Sequence, residues 1–171
     1  MRIALMDLDG WRADGFARAQ QKVTLCAERG VIGLHPLLAD LEIDGHDRPL
    51  DLIGCALMEA QRDMLRTSAA LIAEITPFRG PSLAPSIAWA LGFAAARGLP
   101  VHAFGAAPMD FAARTAQFQA QMGADHWQIE RFPGAVDDII LASGLTSVSY
   151  GVGEAGFAEA LSTLLSMTVT R

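Results

Sequence analysis

Residues 72–104 read IAEITPFRGPSLAPSIAWALGFAAARGLPVHAF. The run that leads into this stretch, Ala69 to Ile75, is apolar except for Glu74, the pattern of a strand buried on both faces of a parallel sheet. Pro77, Gly80, Pro81 and Pro85 then break the chain into a loop at the carboxyl end of that strand. Ser86 is expected to cap a helix that runs to Arg97 and stops at Gly98. That helix is apolar all round and is therefore expected to be buried. Leu99 to Phe104 reads as the next strand, which completes a βαβ unit.

The same alternation extends in both directions. Ile3–Leu8 reads as a first strand, and Asp14 as the cap of a helix with Phe16, Ala19, Val23 and Cys26 at helical spacing up to Gly30. Val31–His35 reads as a second strand ended by Pro36, and the polar stretch Leu37–Leu50 as a long loop. Asp51 is expected to cap a helix with Ile53, Leu57, Ala60 and Met64 on one face, and amphipathic segments follow at 110–121, 136–142 and 154–167. The expectation is one doubly wound α/β domain over residues 1–171, with a four- or five-stranded parallel sheet in flavodoxin-like order. Ligands bind such sheets at the carboxyl ends of the strands, near the switch point. The site should then be built from Asp7–Arg12, the 37–50 loop and Thr76–Ser86.

The bulk numbers narrow the partners. A net charge of -6 and a pI near 5.1, with no cluster of Lys and Arg, argue against nucleic acid. The longest apolar stretch, Ile87–Ala96, is too short to span a bilayer, so no membrane partner is expected. MRIALMDLDG has no signal-peptide core, which together with Cys26 and Cys55, read as two buried free thiols, points to the reducing cytoplasm. No cysteine or histidine has metal-ligand spacing, and neither metal nor cofactor is expected. Met58, Met64 and Trp89 read as core. Gly151, Gly153 and Gly156 spell GxGxxG, but fifteen residues after Gly156 leave no room for the strand and acid of a dinucleotide site. The glycines read instead as a turn before the last helix.

Thr76-Pro77-Phe78-Arg79-Gly80, Gly92-Phe93-Ala94 and Gly98-Leu99-Pro100-Val101 resemble the "TPFRG", "GFA" and "GKPV" segments of the nucleoside 2-deoxyribosyltransferase family. Leu25-Cys26-Ala27 with Gly30, Gly33-Leu34 with Pro36-Leu37, Asp137–Leu141, and Gly156-Phe157 with Ala160-Leu161 extend the resemblance in the right order over nearly the whole chain. It implies a homodimer or larger homo-oligomer and a small nucleoside or nucleotide-like ligand. The family attacks an N-glycosidic bond with a Glu carboxylate, and that position is Ala90 here. The Asp six residues earlier is Ala84, the acid that opens the third strand is Ala69, and the Tyr of the first strand is Ala4.

The resemblance thus implies a pocket whose catalytic carboxylates have gone. Phe78, Arg79, Gly80, Ser82, Ser86, Ala90 and Asp138 are the positions expected to meet the ligand, with Arg79 suited to an anionic group. Glu74, where relatives carry Asn, and Asp7 and Asp9 in the first turn are the carboxylates left for catalysis. Three readings follow: a binding protein that has lost N-glycosidic transfer, an enzyme on N-glycosides with relocated carboxylates, or a scaffold with a vestigial pocket.

Overall fold

A computed structural model describes residues 1–39, 50–105, 110–123 and 147–169, with no side chains described at 50–53, 168 and 169. The elements are β1 (Arg2–Met6), α1 (Gly15–Glu28), β2 (Ile32–Leu34), α2 (Leu50–Thr67), β3 (Ala70–Glu74), α3 (Pro85–Ala96), β4 (Val101–Phe104), α4 (Phe111–Met122), β5 (Ser147–Ser149) and α5 (Gly153–Val169). Short 3-10 turns follow β1 at Asp9–Trp11 and β2 at Pro36–Leu38. The five strands are all parallel, in the order β2-β1-β3-β4-β5, the flavodoxin-like arrangement. The segment at 136–142 lies outside the described residues.

Side chains alternate across each strand and so build two cores. Ala4, Met6, Leu71, Ala73, Val101 and Ala103 face α3, where Ile87, Ala90, Leu91 and Ala94 are buried. Ile3, Leu5, Ala70, Ile72 and Phe104 face the other way, onto Cys26 of α1 and Phe157, Ala160, Leu161 and Leu164 of α5. Phe104 meets Phe157 edge to face at 6.0 Å. His102 also lies on this second face, with Nδ1 2.8 Å from Ser147 Oγ and Nε2 3.1 Å from Ser149 Oγ. It stitches β4 to the edge strand β5.

Several local readings change. Helix α3 begins one residue before Ser86, with Ala84 as the capping residue and Pro85 in the first turn. Proline suits that position because its fixed φ is helical and it has no N–H to leave unpaired. This helix is buried on one face only, and Trp89 and Phe93 pack on each other at 5.5 Å along a half-buried side. Cys26 is buried, and desolvation pushes its thiol up to about 11, whereas Cys55 is exposed on the outward face of α2. Met58 shares that outward face and is no part of the core. Asp51 lies within α2, which starts at Leu50, and does not cap it.

Candidate functional site

The order of the sheet reverses between β1 and β3, and the register pairs Met6 with Ala73 at their carboxyl ends. Asp7 and Glu74 follow at this switch point. The side chains of Asp7 and Asp9 are buried. Lys22 is the reason. Its Nζ donates to Asp7 Oδ2 at 2.6 Å and to Asp9 Oδ2 at 2.7 Å, and the lysine itself is only 4% exposed.

Arg18 Nε completes Asp9 by donating to Oδ1 at 2.9 Å. His35, at the end of β2, places Nε2 3.0–3.1 Å from both oxygens of Asp7, while its Nδ1 accepts from the Leu37 N–H at 3.2 Å. That acceptor role fixes the proton on Nε2 and makes His35 a donor to Asp7. Burial alone would push the Asp7 carboxyl up. The hydrogen bond from His35, with the charge and hydrogen bond of Lys22, outweighs it and holds Asp7 well below the ordinary carboxylate range.

Asp7, Asp9 and His35 bring potential metal ligands within 4.8 Å of one another. The ammonium of Lys22 already bridges both carboxylates, so the cluster carries its own cation and does not fit a metal. Helix α1 can approach this closely only because residue 15 is glycine. A Cβ there would stand 1.9 Å from the Asp9 carbonyl oxygen.

Glu74 is buried as well. Its Oε1 accepts from the Thr76 hydroxyl at 3.0 Å and faces Arg12 Nη2 at 3.7 Å, and its Oε2 lies 3.4 Å from the Leu8 N–H. It belongs to a structural knot beneath Arg12 and is not among the groups that line the neighbouring cavity.

That cavity, of about 260 Å³, opens at the carboxyl end of β1. Met6, Asp7, Gly10 and Trp11 form one wall, and His35, Pro36 and Leu37 another. Leu57 and Gln61 of α2 and Ser86 of α3 close it. Of the residues expected at the site, Asp7 and Ser86 therefore line this cavity, and Asp9 stands behind it. Phe78 and Arg79 reach its rim through Trp11, whose ring lies 5.6 Å from that of Phe78.

Gly80 lines a separate open groove with Pro81, Arg114, Gln117, Phe118 and Gln121. Ser82 is exposed, and its carbonyl accepts from the Phe78 N–H at 2.9 Å. Ala90 has no exposed surface and sits in the core beside Ala4, Met6 and Ile87. Asp138 and residues 40–49 lie outside the described residues. Ala69 is exposed at the amino end of β3, opposite the cavity, so an acid missing there removes nothing from the site.

Comparison with known proteins bears on the family and the fold. The sequence pattern of the nucleoside 2-deoxyribosyltransferase family matches residues 8–136, more than half of the chain. The chain belongs to that family. Among solved structures it is similar to a 2-desoxiribosyltransferase from Leishmania mexicana, with TM-score 0.64 and 21% identity over 94% of this chain and 97% of the other. It is also similar to a conserved protein from Enterococcus faecalis V583, with TM-score 0.54 and 18% identity over 95% and 98% of the two chains. A 2-deoxyribosyltransferase from Bacillus psychrosaccharolyticus gives TM-score 0.50 and 11% identity over 88% and 100%. At these identities the likeness concerns the fold. No curated protein matches the chain by sequence.

The site residues to which the sequence reading gave no role are Lys22, His35 and Gln61. Lys22 had a detectable signal. It falls on the buried stripe Gly15, Ala19, Lys22, Cys26 of α1, where a lysine needs a carboxylate partner. His35 closes β2 at the ligand-binding edge of the sheet, a position that counts for more than its isolation in sequence.

Proposed function

We propose that this nucleoside 2-deoxyribosyltransferase-like protein binds a nucleoside, nucleotide or related anionic ligand at the switch-point cavity and has lost classical N-glycosidic transfer. The observation that carries the reading is Ala90. The family's nucleophile position is closed into an apolar core, and Ala4, where relatives carry Tyr, is closed in beside it. A methyl group offers neither nucleophile nor acid. The surviving carboxylates do not substitute. Asp7 is saturated by Lys22, His35 and the Asp9 N–H, and Glu74 faces Arg12 and Thr76.

A bound ligand remains well supported. The cavity lies where open α/β sheets bind ligands and combines an aromatic wall with a few polar groups, Ser86, Gln61 and His35. Loss of the family's acids at Ala84 and Ala90 makes the region less hostile to an anion, and Arg79 stands at the rim. A homodimer or higher homo-oligomer belongs to the same reading. So does a reducing, cytoplasmic setting, with both cysteines unpaired.

Thermal stabilisation by a panel of 2′-deoxynucleosides and their 5′-monophosphates tests binding. A ligand at one hundred times its Kd adds about 2.7 kcal/mol, roughly 5–11 °C for a chain of this size. No shift with any member of the panel would support the scaffold reading instead. Base release that disappears in Glu74→Gln or Asp9→Asn would support the relocated-carboxylate enzyme.

A further inference from the structure

Arg79 is the one non-glycine residue with a positive φ among the described residues, at 55°. Left-handed backbone carrying a long side chain is strained, and it persists where its surroundings hold it. Here the hold is aromatic. The guanidinium carbon lies 4.6 Å from the ring centroid of Phe78 and 4.8 Å from that of Trp11. Trp11 belongs to the loop after β1, and Phe78 and Arg79 to the loop after β3. The guanidinium therefore staples together the two loops that flank the switch point.

The other cations of this region are already committed. Lys22 is saturated by two carboxylates, Arg18 is bound to Asp9, and Arg12 faces Asp9 and Glu74. Arg79 has no carboxylate within 4.0 Å among the described residues. Stacking occupies the faces of a guanidinium and leaves its in-plane N–H donors able to take an anion. A cation–π contact at an exposed site is weak and exchangeable, whereas forked hydrogen bonds to a phosphoryl group are strong and directional. Trp11, the platform, is itself a wall of the cavity and is 62% exposed.

We propose that Arg79 is an exchangeable anion receptor, parked on Trp11 and Phe78 until a phosphoryl group on the ligand draws it off. Arg79 then decides between a phosphorylated ligand and its unphosphorylated parent, and its departure unpins the two loops. The inference rests on the reading of the cavity as a nucleoside-like site.

The test is calorimetric titration of the wild type, Arg79→Gln and Arg79→Lys with 2′-deoxynucleosides and with their 5′-monophosphates. Trp11 emission is followed in parallel in a Trp89→Phe, Trp127→Phe background. Arg79→Gln should weaken monophosphate binding roughly 10- to 100-fold and leave the nucleoside within about 2-fold. Arg79→Lys should fall between, because an ammonium keeps the charge and loses the fork. The Trp11 emission change on monophosphate binding should vanish in Arg79→Gln. Monophosphate affinity or an emission change that is the same with and without Arg79 overturns this inference alone. Failure of every nucleoside and monophosphate to bind overturns the reading of the cavity and the inference with it.

Discussion

Replacing Lys22 by methionine keeps most of the side-chain volume and removes the cation that Asp7 and Asp9 share. Asp7 then keeps His35 and the Asp9 N–H, and Asp9 keeps Arg18 and, at 3.8 Å, Arg12. Both remain buried at the same place. Removing one partner of a buried ion pair costs about 3–5 kcal/mol, and the surviving partners put this case near about 3 kcal/mol. For a chain of this length that is roughly 6–12 °C in Tm.

The pH dependence gives a second signature. The folded-state pKa of Asp7 is depressed, so its stabilisation is present above the unfolded value, about 3.9, and is lost as pH falls through the lower folded value. Without Lys22, burial and the neighbouring carboxylate push that pKa up, and the stabilisation shrinks. Urea denaturation should therefore show the full deficit of Lys22→Met at pH 7 and a smaller one below about pH 4. Adding Asp9→Asn should recover part of the loss at neutral pH. A deficit under about 1 kcal/mol at pH 7, with no dependence on pH, would refute the buried-cation account.

Other consequences follow from single contacts. Ala90→Glu places a carboxyl in an apolar core, so it should lower stability by several kcal/mol, about 3 or more, and restore no base release; melting and chromatography check both. Gly15→Ala drives a Cβ into the Asp9 carbonyl, and should cost about 1–3 kcal/mol by denaturant titration. Burial lowers the pKa of His102, against an opposing pull from Glu159. Because the unfolded chain then binds the extra proton, stability should fall as pH drops below about 6.5 and level off beneath the folded value. His102→Gln should flatten that slope between pH 7.5 and 5.

The sheet was legible because its apolar runs are short, lie between turn residues and alternate with helical periods. Side-chain environments were less legible. A helical stripe says which positions face inward and not what they meet, so Lys22 went unread although it lies on the buried stripe of α1. Asp7 and Asp9 look alike in a turn whether solvated or buried, and only the arrival of α1 over the turn decides between the two. Helix α2 misled in the opposite direction. Its apolar residues exceed what one buried face needs, leaving Cys55 and Met58 outside. The alanines of the family motif had different meanings that spacing does not separate. Ala90 and Ala4 are core, while Ala69 lies at the far end of its strand.

The central claim is that this family member holds a nucleoside-like ligand without cleaving its N-glycosidic bond. It is tested most directly by incubating the protein with 2′-deoxynucleosides and their 5′-monophosphates at concentrations that saturate binding by calorimetry, then quantifying free base. Saturable binding with no base released beyond the protein-free control is the expected result. Release of one or more equivalents of base per protein chain would contradict it.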